Sequence, residues 1–391
     1  MLRYSLKSIR PGVRIGKPIF TQEGKLLLGR GVTINDFFIK GLEKRGVTSV
    51  YIHDDTTEDV VPEDSISELV RGSTIGHLKE LFGSLEEIRE EMKHESFQAV
   101  TSAVTSKNFV EIFGKSNVFQ KLANDASSIV DQIMSGEVTL GLNSIKTFDN
   151  YLFQHSIDVA LISIMIARKI GFNNKRLREL GIGCLLHDMG KTLIPNEIVN
   201  KPGKLTPEEF KIMQKHSAIG YELMKGVVAI GILPPHVAFQ HHEKQDGTGY
   251  PRGLTGDNTL KLSMESRTIH IYGHIAAVAD VYDSLSSDRP YRPAFPPEKV
   301  FKILREMGGT HLNIAALNHF FTIAPVYPVD ATVRIVSKKY YHYIGVVVGL
   351  NEGKLDSPVI RLIRGSRKEK IKPIEIDLSK QNDVVISSII L

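Results

Sequence analysis

The chain is 391 residues long, with one cysteine and no tryptophan. The lone thiol, Cys184, excludes a disulfide framework and suits a reducing compartment. It sits in the apolar run Leu180 to Leu186 and reads as core packing. Long hydrophobic runs are missing: nothing approaches the roughly 18 uninterrupted apolar residues of a membrane span. Val159 to Ala167 ends at Arg168-Lys169, in the manner of a buried helix. Met1 to Pro18 alternates charge and apolarity and lacks the apolar centre of a secretion signal. An excess of one charge is absent too. The 49 basic and 44 acidic residues leave a net charge of +5. That mildly favours anionic ligands and is far from the basic stripe that binds a nucleic-acid polymer. No internal repeat, low-complexity tract or phosphoacceptor receiver module is evident. These absences point to a soluble cytoplasmic protein, and roughly 100–200 residues per domain gives room for two to four domains.

What the chain does have is histidine and aspartate in a telling order. His155 stands in Gln154-His155-Ser156. His187 and Asp188 follow the apolar run and precede Met189-Gly190-Lys191. Then come His216, the pair His241–His242, and Asp280 in Ala279-Asp280-Val281-Tyr282-Asp283. A single histidine is most often a satisfied core or surface residue, and His53, His77, His94, His236 and His319 are read that way. The ordered set within one mostly helical stretch is different. Imidazole and carboxylate donors without thiolate suit Fe, Mn, Co, Ni or Zn. A carboxylate has two oxygens and can bridge two ions. Two such ions about 3.5–4 Å apart clamp a phosphoester for hydrolysis.

From about Ile145 to Met307 the chain resembles the HD-GYP domain, a subgroup of the HD phosphohydrolases. The resemblance rests on His187-Asp188-Met189-Gly190-Lys191, on Asn200 to Phe210, and on His216-Ser217-Ala218-Ile219-Gly220-Tyr221-Glu222. It continues with His241-His242-Glu243, Asp246 to Leu254 with its Gly249-Tyr250-Pro251 triplet, and Asp280-Val281-Tyr282-Asp283-Ser284-Leu285 followed by Asp288 to Arg292. It implies metal-dependent hydrolysis of cyclic di-GMP to linear pGpG and often on to GMP, by attack of a metal-bridged hydroxide. It also implies two divalent ions, iron or manganese. His155, His187, Asp188 and Asp280 would hold one. Asp188 would bridge to the second, completed by His216, His241 and His242.

Lys191 falls about one turn beyond the His-Asp pair and is placed to meet the scissile phosphate or the bridging hydroxide. Gly249, Tyr250 and Pro251 mark a loop, with Tyr250 offering a ring for a guanine or for packing. By resemblance Arg289 and Arg292 contact substrate phosphates, which their planar forks suit. Three departures stand out. Tyr151 occupies the place where some members carry a glutamate for a third metal, which favours two ions. Gln245 replaces a common tryptophan. The segment about Leu260 to Thr268 looks inserted beside the substrate loop. The rival readings are an HD phosphohydrolase for another cyclic dinucleotide or nucleotide, and a non-catalytic adaptor that binds cyclic di-GMP.

The pattern predicts a multidomain chain. Residues 1–60 show short β-like runs, a helix capped by Asn35 and a strand over Val47 to His53, a small α/β module. Residues 61–130 carry helical spacing at Leu78, Leu81, Leu85, Ile88 and Met92, a connector that offers a homodimer or signalling-partner surface. Residues 131–325 form a mainly α HD-type catalytic domain. Residues 326–391 turn to β at Ala331 to Val336, Ile344 to Val348 and Val359 to Ile363, a small β appendage. Arg361 to Lys372 reads as a solvated hairpin.

Overall fold

Side-chain caps set most of the helix starts. Asn35 accepts a hydrogen bond from the amide of Phe38 at 2.9 Å and opens α1 (Asp36–Lys44). The computed structural model describes residues 2–20, 26–45, 47, 49–60, 65–136, 151–261, 267–287, 294–381 and 383–389. Beside α1, β1 (Leu2–Ser5) pairs antiparallel with β4 (Ser49–Ile52), and β2 (Ile19–Phe20) with β3 (Leu26–Leu28). Leu6, Ile15, Ile34, Leu42 and Val50 fill the small core between them.

The helical stretch after residue 65 is divided into α2 (Glu68–Glu91), α3 (Phe97–Val104), α4 (Lys107–Phe113) and α5 (Asn117–Ser135). Each begins at a serine, Ser67, Ser96, Ser106 or Ser116, whose hydroxyl accepts an amide. Between α2 and α3 and between α3 and α4 a serine starts the next helix without glycine or proline, so a search for breakers passes over these boundaries, whereas Gly114 marks the end of α4. Leu78, Leu81 and Leu85 of α2 are buried, and the helix packs on α5 and on α6 (Tyr151–Ile170). The apolar face offered by the sequence as a dimer surface is therefore covered by the chain's own helices.

The remaining helices are α7 (Asn174–Leu185), α8 (Asn196–Val199), α9 (Pro207–Met224), α10 (Pro235–Gln240), α11 (Ile271–Ser286), α12 (Pro297–Met307) and α13 (Ile314–Phe321). One continuous apolar cluster runs from Ile66 through this helical body to Ile386. Among the described residues no helix is long and apolar enough to cross a membrane.

A sheet of β5 (Thr332–Ile335), β6 (Ile344–Gly349), β7 (Val359–Arg364), β8 (Lys370–Asp377) and β9 (Ile386–Ser388) follows, in the order β8-β7-β6-β5-β9 and antiparallel throughout. β8 is an exposed edge carrying Lys370, Lys372, Pro373 and Glu375, which is why Arg361 to Lys372 reads as a solvated hairpin. Arg361 is not simply solvated. Its two Nη atoms meet the carboxylate of Asp59 at 2.6 and 2.8 Å, and it also holds Glu375. Residues near both ends of the chain are thereby joined.

Candidate metal centre

Five segments bring the candidate ligands together. α6 carries His155 and is buried on nearly every side from Ile157 to Ala167, as befits a helix that is apolar all round. α7 runs out at Leu185, and His187 and Asp188 stand at its C-terminal end, whose partial negative charge favours a cation. A tight turn, Met189–Leu193, follows. His216 lies on α9, His241 caps α10 with His242 next, and Asp280 lies on α11. Gly190 lets the turn press on α9: a Cβ there would collide with the carbonyl of His216.

Asp188 is at the centre, fully buried, and its two oxygens face different partners. Oδ2 is 3.4 Å from Nε2 of His187 and 3.7 Å from Nε2 of His155. Oδ1 is 3.5 Å from Nε2 of His216 and 3.8 Å from Nε2 of His241. Donor atoms of His155, His187 and Asp188 lie within 4.8 Å of one another, and so do those of Asp188, His216, His241 and His242. Asp280 stands beside both groups, with Oδ1 3.2 Å from Nε2 of His155 and Oδ2 4.0 Å from Nδ1 of His242.

The outer nitrogens fix how the rings present themselves. Nδ1 of His187 donates to the carbonyl of Cys184 at 2.6 Å, Nδ1 of His216 to Met213 at 2.7 Å, and Nδ1 of His241 to Ala238 at 2.9 Å. A carbonyl only accepts, so these partners place the proton on Nδ1 and leave the Nε2 lone pair for the centre. Burial pushes His216 down to about 4 and His241 down to about 3, and it drives His242 well below its ordinary value. These imidazoles are neutral at pH 7, as ligands must be. His155 differs. Burial alone would lower it, but hydrogen bonds to Asp280 and Asp283 hold it up at about 9. Burial would likewise raise Asp188, yet the His187 imidazole and the Lys191 ammonium keep it well below the usual carboxylate range. Nε2 of His187 and Oδ1 of Asp188 are buried with no hydrogen-bond partner among the described residues. A bare imidazole nitrogen and a bare carboxylate oxygen, both aimed inward, fit divalent cations.

Lys191 contacts Asp188 itself, Nζ to Oδ2 at 2.6 Å, across the tight turn rather than along a helix face. The Gly249-Tyr250-Pro251 loop folds over the histidine pair. The Tyr250 ring packs on His242 with centroids 4.7 Å apart, and its amide donates to the carbonyl of His242 at 3.2 Å. A Cβ at Gly249 would collide with the backbone of His242, Glu243 and Lys244.

Arg289, Arg292 and residues 262–266 of the inserted segment lie outside the described residues, as does the Tyr151 side chain.

Three residues support the centre and its loop in roles the sequence reading did not assign. Asp283, whose Oδ2 is 2.8 Å from Nδ1 of His155, is three residues beyond Asp280 on the same helix face, a spacing that was there to be read. Glu243 is buried and accepts from the amides of Arg252 and Leu254, both at 2.8 Å, tying down the loop. Gln245, in the tryptophan position, donates to Nδ1 of His274 at 2.9 Å and accepts from Asn313 at 3.4 Å. It braces the loop base from inside, a role its standing in place of a tryptophan did not reveal.

Residues 143–315 match the HD domain family model. A cyclic di-GMP phosphodiesterase of Pseudomonas aeruginosa is 30% identical over 308 residues, 76% of this chain and 70% of that protein. A cyclic di-GMP phosphodiesterase of Thermotoga maritima is 38% identical over 175 residues, 44% of this chain and 45% of its own. The 3'3'-cGAMP-specific phosphodiesterase 3 of Vibrio cholerae is 36% identical over 178 residues, 45% of this chain and 36% of its own. The chain thus spans most of the first relative and less than half the length of the other two. A buried histidine–aspartate centre inside the matched region, and a relative matched over most of both chains, place this protein in the HD-domain phosphohydrolase family, in its HD-GYP subgroup.

Proposed function

We propose that this enzyme hydrolyses cyclic di-GMP to linear pGpG and onward to GMP, with two divalent ions, iron or manganese, at the centre. The observation that carries the reading is Asp188, a single buried carboxylate whose two oxygens face two separate histidine sets. His155, His187, Asp188 and Asp280 would hold one ion, and Asp188, His216, His241 and His242 the other. When bound, such ions neutralise phosphate oxygens and make water acidic enough to act as a nucleophile near neutral pH.

The chain's own residues do the rest. The backbone carbonyls of Cys184, Met213 and Ala238 keep the imidazole lone pairs turned inward. Lys191 keeps Asp188 ionised and brings a positive charge to where the phosphodiester's charge develops. Tyr250, with Gly249 and Pro251, walls the cleft over His242, and we assign this loop to the base and sugar of the substrate. Arg289 and Arg292 are assigned to its phosphates. A single buried cysteine suits the cytoplasm, where we place the enzyme.

The relative of Vibrio cholerae named for 3'3'-cGAMP favours a second reading, the mixed guanine–adenine cyclic dinucleotide as preferred substrate. Anaerobic purification, metal analysis and chromatography of the products from each dinucleotide decide. Near two ions per chain and pGpG or GMP from cyclic di-GMP are expected. Faster turnover of 3'3'-cGAMP supports the second reading. A metal-replete protein that cleaves neither refutes both and leaves a binding adaptor.

A further inference from the structure

α2 touches two of the segments that build the candidate metal centre. Near its start, Nη1 of Arg71 meets Oδ1 of Asp158 at 3.2 Å with both side chains buried, and Asp158 lies three residues beyond His155 on α6. Toward its other end, Nη1 of Arg89 donates to the carbonyl of Thr192 at 2.9 Å and to Oδ1 of Asn196 at 3.0 Å, with the carbonyl of Ile194 at 3.5 Å. About 27 Å of helix separates the two arginines. One helix thus touches both the element that carries His155 and the turn that carries Asp188 and Lys191.

That turn is a short 3-10 segment joined to its neighbours at both ends. The amide of Lys191 donates to the carbonyl of Asp188 at 2.9 Å, and the amide of Ile194 to the carbonyl of Lys191 at 3.1 Å. The Thr192 hydroxyl closes back on the carbonyl of Met189 at 2.6 Å. A helical turn leaves its last carbonyls without partners. Here Arg89, far away in sequence, supplies the donor. On the other side, Gly190 lies against the backbone of α9 at His216. The turn is clamped between α2 and α9. The clamp fixes where the Asp188 carboxylate and the Lys191 ammonium stand relative to His216.

We propose that Arg89 is a positioning residue for the reaction, holding the Met189–Leu193 turn so that Asp188 and Lys191 keep their place at the centre. Arg89 touches none of the candidate ligands; it acts through the turn. A guanidinium suits the task because Nη1 alone carries two N–H groups in a fixed plane, so the Thr192 carbonyl and the Asn196 side chain are met together from one nitrogen. A lysine offers a compact charge on a shorter side chain, without that fixed plane. Displacing a catalytic group by about 1 Å costs on the order of 10²-fold in rate, so the loss falls on kcat rather than on KM.

Only the kinetic arm of the test rests on the phosphodiesterase reading. Full-length, metal-loaded wild type, Arg89→Ala and Arg89→Lys are compared by amide hydrogen exchange, which needs no substrate. They are also compared by hydrolysis of bis(p-nitrophenyl) phosphate, which does not depend on which dinucleotide is cleaved. In Arg89→Ala the amides of Lys191 and Ile194 are expected to lose protection while those of α6 keep it. Its kcat is expected to fall roughly 10²-fold with KM close to wild type. Arg89→Lys should recover part of both. Unchanged exchange in Arg89→Ala overturns the proposal. So does faster exchange with unchanged kcat, and so does loss of protection throughout α6, which would make Arg89 a general stability residue. A wild type that cleaves the chromogenic diester but no cyclic dinucleotide sinks the proposed substrate and leaves the positioning role standing.

Discussion

Oδ2 of Asp283 accepts the Nδ1 proton of His155 at 2.8 Å, and the hydroxyl of Ser287 donates to the other oxygen of Asp283 at 3.2 Å. His187, His216 and His241 turn their outer nitrogens to backbone carbonyls instead. A carboxylate behind an imidazole makes it a stronger donor and locks its tautomer. Asp283→Ala is therefore expected to weaken Mn²⁺ binding by roughly 10–100-fold, with Asp283→Asn between it and wild type. Calorimetric titration of chelator-treated protein measures it. Wild-type affinity in the alanine variant would show that Asp283 only packs.

Asp188 and Lys191 touch at 2.6 Å but should fail differently. Asp188→Ala removes the carboxylate that both histidine sets share, so both ions should be lost in metal analysis. Full metal content in that variant refutes the bridge. Lys191→Ala leaves every candidate ligand in place. Metal content should hold while kcat falls on the order of 10²–10³, the usual cost of one lost transition-state charge contact. Wild-type kinetics would make Lys191 an ordinary ion-pair partner.

Arg71 and Asp158 are both almost fully buried, and each carries a charge with little water near it. Removing one side of such a buried pair costs about 3–5 kcal/mol. Arg71→Met should lower the unfolding free energy, measured by urea denaturation, by about that amount. Arg71→Met with Asp158→Leu should regain much of the loss, because neither buried charge remains. A double variant no more stable than Arg71→Met counts against this account.

The legible and the illegible parts of this chain divide along physical lines. His155, His187, Asp188, His216, His241 and His242 could be read because metal ligation needs particular donors, and those donors stay recognisable in any order of helices. The helix at Asn35 and the strands β5 to β7 carry strong local signals, a cap and runs of β-branched residues. Interactions between distant segments were not readable. Arg361 with Asp59 and Arg89 with Thr192 join residues with no sequence relation; Arg361 read as part of a solvated hairpin, and nothing marked Arg89. The solvated hairpin over Arg361 to Lys372 is the β7–β8 pair, but the run of β8 on to Asp377 was not read because an edge strand tolerates lysine and proline, and the serine-capped helix ends were not read because serine is common everywhere.

His270 and His274 give the protein an acid-sensitive core. Burial pushes both down to about 4, and Nδ1 of His274 accepts from Gln245, a role only the neutral ring can play. Once unfolded, each titrates near 6.5. Between about 4 and 6.5 the unfolded chain therefore binds more protons than the folded one, and stability rises with pH across that window. It should fall as the pH drops from about 6.5 toward 4. In chelator-treated protein His216 and His241 act in the same direction. His155 acts at the other end: its contribution is fully present below about 6.5 and is lost as the pH rises through about 9. Urea denaturation of chelator-treated wild type at several pH values should show the acid slope. His274→Gln removes one titrating group while keeping an amide that can accept from Gln245, so its slope should be shallower. A slope identical to wild type would mean that His274 is not neutral in the folded state, and that another group sets the acid limit.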